Sequence, residues 1–218
     1  MLPHMPAPWG TVMDMTMSSC HEKLPPMKPH VVLLAAIASF SLLALAQPTA
    51  TLDKSWYLAG ENPDLYEIGA DPNGFRRGSF AKFLRAKTDD RKAWATLMQT
   101  IAADKYRGKR VRFSAQVRTE NIGDYSGLWM RVDLENGEKS GFYNSQDKPI
   151  KGTADWQLRS VTLDVEKNAD FILFGVNGQG GGTVWIDDLK IEVVGNDVPV
   201  DKMPPREYWR SLHTNPDL

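Results

Sequence analysis

Two aspartates stand side by side in "GTVWIDDLKIEVV", Gly182 to Val194, a stretch whose apolar and β-branched residues otherwise ask for a β-strand. Under strict alternation Trp185, Asp187, Leu189, Ile191 and Val193 share a face, which puts Asp187 among core residues. A buried carboxylate needs partners, because an unpaired buried charge costs more than a strand's other contacts supply. A cation, an arginine or several backbone N–H groups would serve. In the last case Asp187 accepts N–H bonds at a bulge and Asp188 stays in solvent.

A second group lies on two alternating runs. In Lys109 to Arg118, Val111, Phe113, Ala115 and Val117 fall on one face, and Arg110, Arg112, Ser114, Gln116 and Arg118 on the other. In Gly127 to Asp133, Leu128, Met130 and Val132 point inward, and Trp129, Arg131 and Asp133 outward. An aromatic platform beside fixed donors and acceptors suits a ligand with apolar C–H faces and many hydroxyls, as a sugar has. Arg112, Gln116, Trp129, Arg131 and Asp133 are therefore the candidate binding residues; the competing reading is a solvated sheet face with Trp129 under a loop. An outward Trp129 predicts that Trp129→Ala costs binding, on the order of 1 kcal/mol or more, and little stability.

Catalytic groups are scarce. Cys20 and three of the four histidines precede residue 47, so a Ser-His-Asp arrangement would rest on His213 in a Pro-rich tail. A carboxylate pair is the remaining route, as in glycoside hydrolysis. "DLENGE" offers Asp133, Glu135 and Glu138, but Asn136-Gly137 turns the chain between them and fits a type I′ hairpin. "NGQGGG", Asn177 to Gly182, precedes a strand rather than a helix, so it reads as a hairpin and not a phosphate loop.

The elements that position these groups are short strands. Phe80 to Ala86, Leu97 to Ala102, Lys139 to Tyr143, Gln157 to Val165, Phe171 to Val176 and Thr183 to Val194 join the two runs above, separated by Gly, Asn, Asp and Pro. No helical periodicity persists. The spacing predicts an all-β fold, an antiparallel β-sandwich over residues 47–199, with an irregular tail at 200–218. Upstream, Val31 to Ala46 is apolar and uncharged after a basic start and ends in Ala44-Leu45-Ala46, the pattern of a signal peptide at 27–46. Sixteen residues are too few to span a bilayer, which takes roughly 20. Secretion or a periplasmic location with cleavage before Gln47 is the expectation, without stable membrane insertion afterwards. Residues 1–26 suggest no structure, and Met27 reads as the true start.

Removing residues 1–46 takes away two basic and two acidic residues and leaves the net charge at −1. A nucleic-acid binder carries a basic excess for its phosphate contacts, so nucleic acid is not an expected partner. A chain of about 170 residues with no disulfide must rest on its hydrophobic core, which that length allows.

"NPDLYEIGAD", "YRGKRVRFSAQVRT", "WMRVD" and "GTVWIDDLKIEVV" together resemble the galactose-binding-like jelly rolls, most of all carbohydrate-binding modules of the family 4/9 type. The resemblance runs from about Trp56 to Pro199. It implies a non-catalytic carbohydrate-binding role on the concave sheet face. It also implies a structural calcium, held by a last-strand carboxylate, Asp187, and the Glu of an early "F-E-x-G" motif, where Tyr66-Glu67-Ile68-Gly69 stands here. Similar modules occur fused to DNA-binding regulators, but no helix-turn-helix pattern is present and that role is not carried over. A two-carboxylate hydrolase, and a sensor or protein-interaction domain, are the alternatives.

Overall fold

The computed structural model describes residues 51–208; the segments 1–26 and 27–46, with the expected cleavage point, and His213 lie outside them. Nine strands follow one another: β1 (Trp56–Gly60), β2 (Tyr66–Asp71), β3 (Ala81–Ala86), β4 (Trp94–Ala102), β5 (Lys109–Leu134), β6 (Lys139–Tyr143), β7 (Ile150–Val165), β8 (Ala169–Gln179) and β9 (Thr183–Val194). A 3-10 turn, Pro63–Leu65, precedes β2. Every strand pairing is antiparallel.

Hydrogen bonds link the strands in the order β1-β4-β8-β5-β9-β3-β2, with β6 and β7 also paired to β5. The two alternating runs read from the sequence as separate strands are the two ends of β5, which has 26 residues. Its first part pairs with β7 and β9, and its last ten residues with β8 and β6. The ladder on β7 shifts register three times between Val117 and Ser126. There Asn121 takes a positive φ of 55°, a conformation Asn tolerates better than most residues. One strand thus serves both layers of a sandwich: β1-β4-β8-β5-β6 in the first, β7-β5-β9-β3-β2 in the second.

The core fills the space between the layers. Val111, Phe113 and Val117 from one end of β5 join Leu128, Met130 and Val132 from the other, with Leu97, Ile172, Phe174, Val176, Val184 and Ile186. Phe113 and Phe174, on opposite layers, meet with ring centroids 4.9 Å apart. The alternation expected for both runs of β5 is the alternation observed, and the antiparallel sandwich is the observed architecture. The tail lies along β7, where Asp201 Oδ2 accepts from Thr162 N at 2.9 Å and Val200 and Met203 pack on the core.

Two local expectations need correction. Asn136-Gly137 does not form a type I′ turn, because only Gly137 has a positive φ, 81°. Leu134 N donates to Glu138 O and Gly137 N to Leu134 O, closing a three-residue loop whose last residue is the left-handed glycine of a bulge. The second correction concerns Asp187. In β9 it is Val184 and Ile186 that enter the core, so Trp185 and Asp187 face outward. Beyond the aspartates the parity reverses, and Leu189 and Ile191 pack inward. The cause is a bulge: Gln116 pairs with Asp187 and Ser114 with Lys190, so one residue on β5, Ala115, faces two on β9, Asp188 and Leu189. Asp188 is the extra residue, at φ 48°.

Candidate functional site

On the outer face of the first layer lies a cleft of about 820 Å³. Strand alternation builds its floor. In β4, Ala95 and Leu97 go to the core, so Thr96 and Met98 face the cleft; in β8, Ile172, Phe174 and Val176 go inward and leave Leu173 and Asn177 outside. Trp129 of β5 completes the floor and forms a small apolar cluster with Met98 and Leu173. Its indole Nε1 donates to Thr96 Oγ1 at 2.6 Å. Because β8 separates β5 from β4, the ring must cross β8, and Trp129 is paired there with Gly175.

The walls are polar groups and rings. Trp94 lines one end, with Nε1 donating to Glu61 Oε2 at 3.0 Å. Arg131, Lys139 and Phe142 line the other. Arg131 is held by Asp133 in a fork, Nε to Oδ1 at 2.7 Å and Nη2 to Oδ2 at 2.8 Å. Asn144 and Gln146 come from the loop after β6, which is pinned where Ser145 Oγ donates to Leu128 O at 2.7 Å. The Tyr125 hydroxyl donates to Asn144 O and accepts from Asn177 Nδ2 at 3.3 Å. Burial pushes its pKa up to about 12, against a smaller opposing effect of the Asn177 bond.

Trp129 and Arg131 therefore line the cleft, and Asp133 fixes Arg131 from beside it. Trp129 does face away from the main core, but it is only 6% exposed and hydrogen-bonded. Truncating it removes packing as well as any ligand contact, so the expectation of unaltered stability is corrected. Arg112 and Gln116 belong to the other end of β5, in the second layer, away from the cleft. Arg112 pairs with Glu192 at 2.9 Å, and Gln116 stands opposite Asp187 at the bulge. Trp94, Tyr125, Phe142, Asn177 and Gln179 were missed. In "WATLM" the alternation of Trp94, Thr96 and Met98 with Ala95 and Leu97 was the available signal.

The two carboxylates expected to hold calcium are not brought together. Glu67 is paired with Arg85 and Asp71 with Ala81, while Ile186 of β9 is paired with Lys82. Glu67 and Asp187 thus sit at opposite ends of β3, roughly 13 Å apart along the strands for four residues. One ion with ligands at about 2.3–2.6 Å cannot bridge that distance. Glu67 instead meets Arg85 at 3.0 Å, and among the described residues no group of three or more His, Cys, Asp or Glu is arranged to hold a metal.

Asp187 is satisfied otherwise. Its Oδ2 accepts from Phe75 N at 2.8 Å and Ser79 Oγ at 2.5 Å, and its Oδ1 from Asp188 N at 2.7 Å. Asp188 meets Arg76 at 2.9 Å. The paired aspartates thereby clamp the loop between β2 and β3 onto the outer face of the second layer. Beneath that loop, Arg118 stacks on Trp185 at 4.0 Å, and Trp185 Nε1 donates to Asp71 Oδ2 at 2.9 Å.

No protein-family profile matches the sequence. A Bacillus subtilis (strain 168) protein named as an uncharacterized HTH-type transcriptional regulator, YbfP, is 37% identical over 147 residues; the match covers 67% of this chain, and the chain spans about 50% of that relative. Solved structures similar to the chain include the CBM22-1 xylan-binding domain of Paenibacillus barcinonensis Xyn10C, at 12% identity and TM-score 0.47 over 66% of this chain and 89% of that one. A family 4 carbohydrate-binding module is similar at 18% identity and TM-score 0.41, over 64% and 86%. Carbohydrate-binding modules are thus among the structures this chain resembles, and at these values the likeness assigns no ligand and no residue role.

Proposed function

We propose that this chain is a non-catalytic binding module that takes a carbohydrate in the cleft of the first layer. The observation that carries the reading is the cleft itself, of about 820 Å³, within the range of small-molecule sites, with an apolar floor and polar walls. Trp94 and Phe142 offer ring faces to C–H patches, and Asn177, Gln179, Asn144, Gln146 and Arg131 offer donors and acceptors to hydroxyls. Among the described lining residues Glu61 is the one carboxylate, and its Oε2 accepts the Trp94 N–H. Hydrolysis by a carboxylate pair would need a second at about 5–10 Å, which favours binding over catalysis.

A glycan-array screen of the protein tests the reading. Binding to at least one oligosaccharide class is expected, weakened about tenfold by Phe142→Ala, whose ring is 44% exposed and contributes little to the core. No binding across the array, or binding indifferent to Phe142→Ala and Gln179→Ala, contradicts it. Secretion with cleavage before Gln47 is part of the proposal and is supported by the apolar run ending at Ala46. Mass spectrometry of the protein from the extracellular or periplasmic fraction decides it.

A second reading is a sensor domain, favoured by the B. subtilis relative, of which this chain matches about half and whose name is that of a transcriptional regulator. The described residues of this chain contain no helix-turn-helix, so only the ligand-recognising part of such a protein would correspond. Both readings place the ligand in the same cleft.

A further inference from the structure

The charges of the cleft are not spread evenly. At the end formed by β5 and β6, Arg131 and Lys139 both line the wall. The positive charge of Arg131 is matched by Asp133, which takes its Nε and Nη2 and leaves Nη1 without a partner among the described residues. Lys139 is paired in register with Asp133, yet its ammonium makes no ion pair or hydrogen bond among the described residues. The negative charge lies at the other end, where Glu61 meets Trp94. One uncompensated ammonium and one free guanidinium nitrogen therefore border the same end of a cleft whose floor is apolar. Such a floor strengthens the field of a charge compared with open water.

A neutral sugar makes no use of that charge, whereas a carboxylate on a pyranose ring does. We propose that the cleft selects an acidic glycan, with the carboxylate of a uronic acid residue placed between Lys139 Nζ and Arg131 Nη1. This rests on the carbohydrate reading above and adds the ligand's charge and its orientation. The neighbouring rings of the chain then run toward Trp94, away from the cations and toward Glu61, which accepts hydroxyl donors but repels a second carboxylate. Asp133 serves as a positioning residue, fixing Arg131 so that its remaining edge faces the cleft.

The test compares oligogalacturonate with the same oligomers after reduction of their carboxyl groups to primary alcohols, alongside neutral xylo- and galacto-oligosaccharides and polyglutamate. Calorimetry on the full protein is expected to give at least about tenfold tighter binding of the acidic oligomer than of its reduced form, the worth of one charge-assisted hydrogen bond. The preference should shrink as salt rises. In Lys139→Gln the ratio of the two affinities is expected to fall to within about twofold of unity, with an unaltered melting temperature reporting an intact fold. Equal binding of acidic, reduced and neutral oligomers overturns the inference and leaves the carbohydrate reading standing. Binding of polyglutamate as tightly as oligogalacturonate also overturns it, since charge alone would then be recognised. Binding of no oligosaccharide at all overturns both.

Discussion

At the scale of single residues, two side chains decide what each face of the molecule does. Trp129 forms the cleft floor and is tied to Thr96 by its indole N–H. Trp129→Ala should lower stability by about 2 kcal/mol, somewhat below the usual loss for a core aromatic because the site opens to solvent, and should weaken ligand binding as well. Denaturant unfolding and calorimetry on the same variant separate the two effects; unchanged stability would mean that the ring is not packed where it is described. Asp187 accepts three hydrogen bonds from the loop and the bulge. Asp187→Ala, which leaves Phe75 N and Ser79 Oγ without that acceptor, should cost about 1–3 kcal/mol, whereas Asp188→Asn at the ion pair with Arg76 should cost less than about 1 kcal/mol. Equal losses from both would place the clamp on the wrong aspartate. The need of Asp187 for partners was legible in the sequence. The backbone and hydroxyl donors that meet it were not, because Phe75 and Ser79 lie more than a hundred residues away and come into reach only when the loop folds back.

At the scale of elements, the paired aspartates mark where β9 changes which face it turns to the core. Val184 and Ile186 enter before them, Leu189 and Ile191 after them, and the extra residue makes both possible. Deleting Asp188 would remove the extra residue and leave Val184, Ile186, Leu189 and Ile191 on one face under unbroken alternation. That deletion should therefore keep a cooperative unfolding transition, with some stability lost along with the Asp188 ion pair to Arg76. Asp188→Gly, which keeps the bulge and suits the positive φ, should stay within about 1 kcal/mol of the parent. A deletion variant with no cooperative transition would contradict the bulge. The two ends of β5 were legible because their inward residues are uniformly apolar. β1 and β2 were not: each is a short edge strand with one buried residue, Trp56 or Tyr66, and no pattern to read. The continuity of β5 across both layers was hidden as well, since Thr119 to Ser126 carries turn-like residues through the bend. That hidden continuity is why Arg112 and Gln116 were expected beside Trp129 and lie in the other layer.

For the molecule as a whole, stability depends on pH through groups that link distant strands. Burial opposes ionisation of Asp71, but bonds from Asn73 and Trp185 and the charge of Arg118 outweigh it and hold its carboxyl below the usual range. A depressed pKa adds stability that is present above the unfolded value of about 3.9 and is lost as pH falls through the folded one. Asp71→Asn should therefore flatten the fall in melting temperature below about pH 4, measured from pH 3 to 7; an unchanged profile would assign the acid sensitivity elsewhere. Tyr125 works in the other direction: with its pKa near 12 in the folded state, stability should decline as pH rises from about 10 toward that value. The location of the ligand is the claim on which the functional reading turns, and amide chemical-shift mapping of the isotope-labelled protein with an oligosaccharide that binds it tests that most directly. Shifts are expected at Trp94, Trp129, Arg131, Phe142 and Asn177, including the Trp129 indole, with none at Arg112 or Gln116. Shifts confined to the second layer around Arg112, Gln116 and Trp185, with the cleft residues unmoved, would contradict it.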